Sequence, residues 1–300
     1  MFKLIINELT KIFNKKSTYI ILSIIFVFVF FTNYLYKYKL DEIGGFNNIN
    51  YLDNALEDLE GSDEERSKAE YILNTKENIN KVNDTRGILI NFFNEYETII
   101  IIFLIVISSS MIIDEYKGPI KNLLTTPNSR IKILLSKILT IFLLLMFVLV
   151  YILILQLLFG YIFFKFDSLK IPVVIYNFKI KNIITINVFN YLLILLINKL
   201  PLFLITIMIL IFLGITTKSS SLTSIITLVN YIVITPIVIN SNIKLLNYFI
   251  NKHWDLSIYL YGRVVEDNTL NFSIFMCIIY FILLFIASII IFDSKDIKNM

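Results

Sequence analysis

Six runs of apolar residues, each close to the length that crosses a lipid bilayer, constrain this chain more than any other feature. They read Tyr19 to Tyr36, Thr98 to Ile113, Ile138 to Phe164, Pro201 to Thr217, Leu222 to Asn240 and Phe272 to Phe292. A hydrocarbon core about 30 Å thick is crossed by about 20 helical residues. The third run is long enough to cross with tilt, and the fourth has an apolar lead-in from near Val188. Unpaired backbone groups are not tolerated in lipid, so such runs must be helices. The alternation of a membrane β-strand is absent. Composition agrees. Hydrophobic residues make up 57% of the chain and charged ones 17%, against about 45–50% and about 25% in soluble domains. The predicted fold is therefore an all-α membrane protein with six transmembrane helices.

The first run is longer than a signal-peptide core of about 7–15 residues, and Thr32-Asn33-Tyr34 is a poor cleavage site, so it reads as an uncleaved span. Pro236 predicts a kink in the fifth. An even number of spans places both termini on one side. If that side is the cytoplasm, the inner segments carry 12 basic residues against 5 acidic ones, Lys3, Lys117, Arg130 and Lys218 among them. By density this satisfies the positive-inside rule; Lys165, Lys170, Lys179 and Lys181 on the other side run against it. The expectation is a multi-pass protein of a bacterial plasma membrane with cytoplasmic termini.

The segments outside the spans divide into three kinds. In residues 1–16, Phe2, Ile5, Leu9, Ile12 and Phe13 share one helical face and Lys3, Asn7 and Lys11 the other. That is the pattern of a helix lying in the membrane interface, or of a plain extension of the first span (17–37). Residues 38–97 predict a small helical extracytoplasmic insertion in which acidic residues outnumber basic ones by about two to one. Ser62-Asp63-Glu64-Glu65 is a capping box that opens a helix running towards Asn83. It reads as a solvated spacer, or as a module that binds a cationic peptide or an accessory protein. Residues 98–300 hold the other five spans. Within them, 114–137 is expected to be a cytoplasmic segment containing a short amphipathic helix, Pro119 to Thr125. Pro119 suits a first helical turn. Asp114 and Glu115 lie near its positive end. Ile120, Leu123 and Leu124 form an apolar edge, Lys117, Lys121 and Asn122 a polar one. Such a helix suits docking against another protein, or resting on the membrane.

In this segment Glu115, Gly118, Ile120, Lys121, Leu123, Leu124, Pro127, Ser129, Arg130 and Lys137 follow one another in an order that resembles the permeases of type-2 (ABC-2) exporters of the ABC transporter class. Pro119 departs from that pattern, where a small or hydroxylated residue is commoner. The stretch Phe292-Asp293-Ser294-Lys295-Asp296-Ile297 is similar to the family's ending, and His253 to Gly262 to its outer-loop segments. The resemblance implies a permease that pairs with a second copy or a sister permease above two separate cytosolic ATPase subunits. Glu115, Lys117, Gly118, Ile120, Lys121, Leu123, Leu124 and Arg130 would form the contact through which ATP-driven closure of the ATPase moves the spans. The chain has no Gly-x-x-x-x-Gly-Lys phosphate loop. ATP and Mg would therefore be bound by the partner, this chain would hold no cofactor, and it would not itself be an enzyme. Relatives carry peptide antibiotics, drugs, ions and lipid-linked glycans. The implied role is efflux of a peptide antibiotic or drug, and hence antimicrobial peptide resistance; no nucleic-acid partner is expected. The competing expectation is a non-transporting sensor or scaffold that binds a ligand through the acidic outer module.

Lys199 sits in a long apolar tract just before Pro201. A charge there is costly and often functional, but Lys199 near a span end can snorkel to the outer interface, which is the reading preferred. Gln156, Asn190 and Asn230 suit helix–helix bonds or a pathway lining. Ser108-Ser109-Ser110 and Ser219-Ser220-Ser221 suit close helix packing. His253 beside Trp254 reads as an interfacial pair, with Trp254, Tyr259 and Tyr261 in the aromatic belt. One Cys, Cys277, excludes a disulfide within the chain, and one His excludes His clusters. No paired carboxylates or Ser/His arrangement for intramembrane proteolysis stands within the spans.

Overall fold

The computed structural model describes residues 1–42, 58, 61–75, 85–117, 130–164, 169, 171–241, 243–263 and 268–294. Six helices in it are long and apolar enough to cross a membrane. The first lies in Lys16–Glu42, the second in Phe92–Lys117 and the third in Arg130–Phe163. The fourth is Val188–Thr217 and the sixth Leu270–Ser294. The fifth is composite: Ser220–Val229, a π-helical turn Asn230–Ile234, and Thr235–Ile239. The fold is the expected all-α membrane architecture. The helices overrun the apolar runs at several ends; span 3, with 34 residues, is about 51 Å long at 1.5 Å per residue.

Burial orders the bundle. In span 2, 61% of the residues are buried, and in span 4, 56%, against 17% in span 6 and 22% in spans 1 and 5. Spans 2 and 4 thus form the centre. Span 2 packs on spans 4 and 5, span 6 on span 4, and span 1 on span 3. The span 1–span 3 seam is aromatic: Phe26 and Phe30 both meet Phe159 edge-on, with ring centroids 5.4 Å apart, a favoured ring geometry. A polar knot joins the same helices to span 2. Asn33 Nδ2 and the Tyr96 hydroxyl each donate to Gln156 Oε1 at 2.9 Å. Gln156 therefore ties three helices together, the helix-contact role.

An amphipathic helix, Phe2–Phe13, precedes span 1 and packs on span 3, where Phe13 meets Phe147 edge-on. The Ser62 capping box is present: the Ser62 amide donates to Glu65 Oε2 at 2.7 Å and its hydroxyl at 2.8 Å. These bonds hold the Glu65 carboxyl below the usual carboxylate range. The helix it opens, Asp63–Thr75, is followed by residues outside the described set, where the expected run to Asn83 falls. A short helix, Thr85–Ile90, seats on span 3 at Gly160. Thr85 Oγ1 donates to the Gly160 carbonyl at 3.2 Å, and a Cβ on Gly160 would stand 2.9 Å from Thr85 Cγ2. Only glycine admits that approach.

One element was not expected. Between spans 3 and 4 lies an antiparallel hairpin, β1 Val173–Asn177 and β2 Asn182–Ile186, in register Val173↔Ile186 to Asn177↔Asn182. Asn177 Oδ1 accepts from the Lys179 and Ile180 amides at 2.9 and 3.2 Å, a side-chain-closed turn of the Asx kind. The Phe178 amide reaches across to the Tyr261 carbonyl at 2.9 Å. The hairpin therefore packs against the segment between spans 5 and 6, which is three 3-10 turns: Lys244–Tyr248, Ile250–Lys252 and Leu256–Gly262. The bundle has two distinct ends, one capped by the N-terminal helix and one by the hairpin and these turns.

Candidate functional site

Lys199 is buried within the protein. It lies 11 residues into span 4 from Val188, about 16 Å along the helix from its hairpin end. Its side chain is 10% exposed. The expectation of snorkelling is corrected, because two carboxylates meet the ammonium inside the protein. Nζ stands 2.5 Å from Glu97 Oε2 and 2.6 Å from Asp255 Oδ2. Glu97 comes from the second turn of span 2, Asp255 from the turns between spans 5 and 6. The other Glu97 oxygen accepts from the Tyr231 hydroxyl of span 5 at 2.8 Å. The other Asp255 oxygen accepts from the Ser257 amide at 3.0 Å and hydroxyl at 2.6 Å, which fixes Asp255 as the N-cap of the last 3-10 turn. Four elements converge on one ammonium. A charge this far into an apolar tract is tolerated only when paired and hydrogen-bonded.

The π turn positions Tyr231. Pro236 has no N–H and cannot bond the Ile232 carbonyl, so the helix widens just before it. Thr235 Oγ1 donates to the Asn230 carbonyl at 2.9 Å. Asn251 Nδ2 donates to Thr235 Oγ1 at 2.8 Å and to Asn230 Oδ1 at 3.3 Å. Asn230 thus acts in helix contact, while Asn190 is exposed. Between span 5 and the cluster lies a cavity of about 480 Å³, lined by Glu97, Asp255, Tyr231 and Trp254 and by the apolar Leu202, Pro236 and Ile239.

His253 is fully buried, and Trp254, at the cavity wall, is 2% exposed, so neither sits in the expected aromatic belt; the 3-10 turns fold them into the protein. Tyr259 is also buried. The Asn247 carbonyl, 2.7 Å from Nε2, can only accept, so Nε2 carries the proton. Nδ1 then accepts from the Ser273 hydroxyl at 2.9 Å, which accepts from Tyr259 at 2.8 Å. Burial pushes the imidazole pKa down and the Tyr259 phenol up. This chain of bonds is satisfied by a neutral ring and locks the turns onto span 6. Among the described residues, no group of three or more His, Cys, Asp or Glu is placed to hold a metal ion.

At the other end the N-terminal helix is clamped to the bundle. Glu8, 6% exposed, pairs with Lys11 at 2.9 Å and lies 4.0 Å from Lys137 of span 3. Lys137 also donates to the Met111 carbonyl of span 2 at 3.5 Å. Lys15 reaches Ser110 Oγ of span 2 at 3.3 Å. The close helix packing expected of the two serine runs is present, and it brings them together: the Ser220 hydroxyl, and that of nearby Ser224, contact Ser109 Oγ at 3.2 and 2.8 Å. Of the residues expected to contact an ATPase, Glu115 and Lys117 fall in the last helical turn of span 2 and Arg130 opens the helix of span 3. Gly118, Ile120, Lys121, Leu123 and Leu124 lie outside the described residues.

Glu97, Tyr231 and Asp255 were missed by sequence reasoning. Glu97 is 102 residues from Lys199, and Asp255 is 56 residues away, so no spacing pairs them. The available signal was Lys199 itself, whose place in an apolar tract demands a counter-charge.

A family model described as "Protein of unknown function (DUF2705)" matches residues 61–298, well over half of the 300. The chain belongs to the DUF2705 family. No curated protein and no solved structure matches it. The DUF2705 match takes in spans 2 to 6 and every residue of the Lys199 cluster; Glu8 and the N-terminal helix precede it.

Proposed function

We propose that this DUF2705 protein is the membrane-spanning permease subunit of an ATP-driven exporter of the ABC-2 type. It would work with separate cytosolic ATPase subunits and a second permease, identical or sister, in a bacterial plasma membrane with both termini in the cytoplasm. It would hydrolyse no ATP itself. The reading rests on the clamp at the N-terminal-helix end. The two spans joined by segment 114–137 are both tied to the N-terminal region, span 3 to the N-terminal helix through Lys137–Glu8 and span 2 to the link between that helix and span 1 through Ser110–Lys15. Force applied to that segment would reach three elements together. Span 2 is one continuous helix from Glu97 to Lys117, about 30 Å, so the same push would bear on the Lys199 cluster at the far end. A packed, two-position element of this kind is what coupling between distant sites requires.

Efflux of a peptide antibiotic or drug follows from the resemblance and is the substrate class proposed. The test is Lys121→Glu with Leu124→Asp in the chain co-expressed with a phosphate-loop ATPase of the same bacterium that copurifies with the unaltered chain. The double variant loses ATPase association and permease-stimulated ATP turnover while remaining membrane-inserted. Unchanged assembly and turnover would overturn the proposal.

A further inference from the structure

We infer that the cavity beside the Lys199 cluster binds a monovalent organic cation. The first argument is charge. Glu97 and Asp255 bring two negative charges, and Lys199 one positive, to side chains that are 15%, 26% and 10% exposed. The residue is one negative charge facing the cavity. Tyr231 offers Glu97 a neutral hydroxyl. Lys252, two residues before Trp254, directs its ammonium to the Ser241 carbonyl and Asn247 Oδ1, both at 2.8 Å. A buried uncompensated charge is unfavourable, so the cluster favours a second cation.

The second argument is the wall. Tyr231, half-buried, lines the cavity, and an aromatic ring attracts ammonium groups; the Trp254 ring, 2% exposed, packs against it with centroids 6.4 Å apart. Pro236 and Ile239 supply an apolar side for an alkyl or aryl body. The volume, about 480 Å³, falls in the roughly 300–1,000 Å³ range of small-molecule sites. A divalent metal is the weaker occupant, because no metal-binding group of three or more side chains exists among the described residues. A neutral molecule leaves the charge uncompensated, and an anion meets two carboxylates. This inference stands apart from transport: it concerns equilibrium binding to the purified chain, and binding without an ATPase would leave the export proposal untouched.

The chain has one tryptophan, and it lines the cavity, so its emission reports occupancy. The full-length protein in detergent is titrated with benzyltrimethylammonium, its neutral isostere neopentylbenzene, and benzenesulfonate. The cation gives a saturable change in Trp254 emission and the other two do not. Glu97→Gln and Asp255→Asn each weaken the cation by about tenfold, as expected for loss of one charged contact. Lys199→Gln tightens it, because a competing ammonium is gone. That opposite sign is not expected of a cluster that merely holds the fold together. Equal responses to cation and isostere in the wild-type protein, which needs no variant to fold, would overturn the inference. So would the absence of a saturable response, or unchanged affinity in both carboxylate variants.

Discussion

Replacing Lys199 by Met removes the one cation from between Glu97 and Asp255. The two oxygens that bonded Nζ, at 2.5 and 2.6 Å, cannot be farther apart than the sum of those distances, about 5 Å. At an effective dielectric of about 20, two like charges at that separation repel by about 3 kcal/mol. Removing one partner of a buried pair generally costs about 3–5 kcal/mol. The Asp255 side chain is 26% exposed and the cavity admits water, which screens part of this, so a loss of about 2–3 kcal/mol is expected. The assay is thermal unfolding of the full chain in detergent, where that loss corresponds to a fall of about 4–9 °C. The triple variant Lys199→Met, Glu97→Gln, Asp255→Asn removes every charge and recovers most of the loss, since neutral replacement of a whole buried ion cluster is often tolerated. Equal melting of Lys199→Met and wild type would refute the burial argument. A triple variant no better than the single would refute the electrostatic one.

Three further outcomes follow from the packing and the titrating groups. His253 is held neutral, with its pKa pushed below the ordinary value of about 6.5; below that pH the unfolded chain takes up the proton first, so stability is full above it and declines as pH falls towards the folded pKa, a slope that His253→Asn reduces in melts across pH 5 to 8 (roughly the histidine range). Gly160→Ala destabilises by about 1–3 kcal/mol, because the new Cβ meets Thr85 Cγ2 at 2.9 Å; adding Thr85→Ser removes that methyl and restores stability in the same unfolding assay. Glu8→Ala removes the Glu8–Lys137 contact between the N-terminal helix and span 3 and loosens that helix, read as faster proteolysis near residues 1–16 and loss of about 1 kcal/mol, whereas proteolysis identical to wild type would count against the clamp.

How far these features were legible in the amino acids depends on the range over which they act. The six spans follow from local composition, because lipid forces each run into a helix whatever its neighbours do; all six are present. The Ser62 capping box was likewise readable, being decided by a few adjacent side chains; the serine runs announced close helix packing, but not that Ser109 and Ser220, 111 residues apart, would meet. Pro236 announced a kink, but not that the helix would widen into a π turn and present Tyr231 to Glu97. The hairpin at Val173–Ile186 escaped because its strands are not uniformly apolar and their pairing is stabilised by contact with Tyr261. Lys199 stands out in the sequence as a charge in an apolar tract, but snorkelling is a property of one helix, whereas the observed pairing needs three other elements to arrive at the same point. Trp254 and His253 look like belt residues in isolation and are buried only because the 3-10 turns fold back over the bundle.

As the permease proposed above, the chain would receive force from an ATPase that it does not itself contain. The most direct measurement is purification of the tagged full-length protein from its native membrane in mild detergent, with quantitation of whatever copurifies. A phosphate-loop ATPase is expected in stoichiometric amount. Recovery of the chain with no ATPase subunit, from membranes in which that ATPase is expressed, would contradict it.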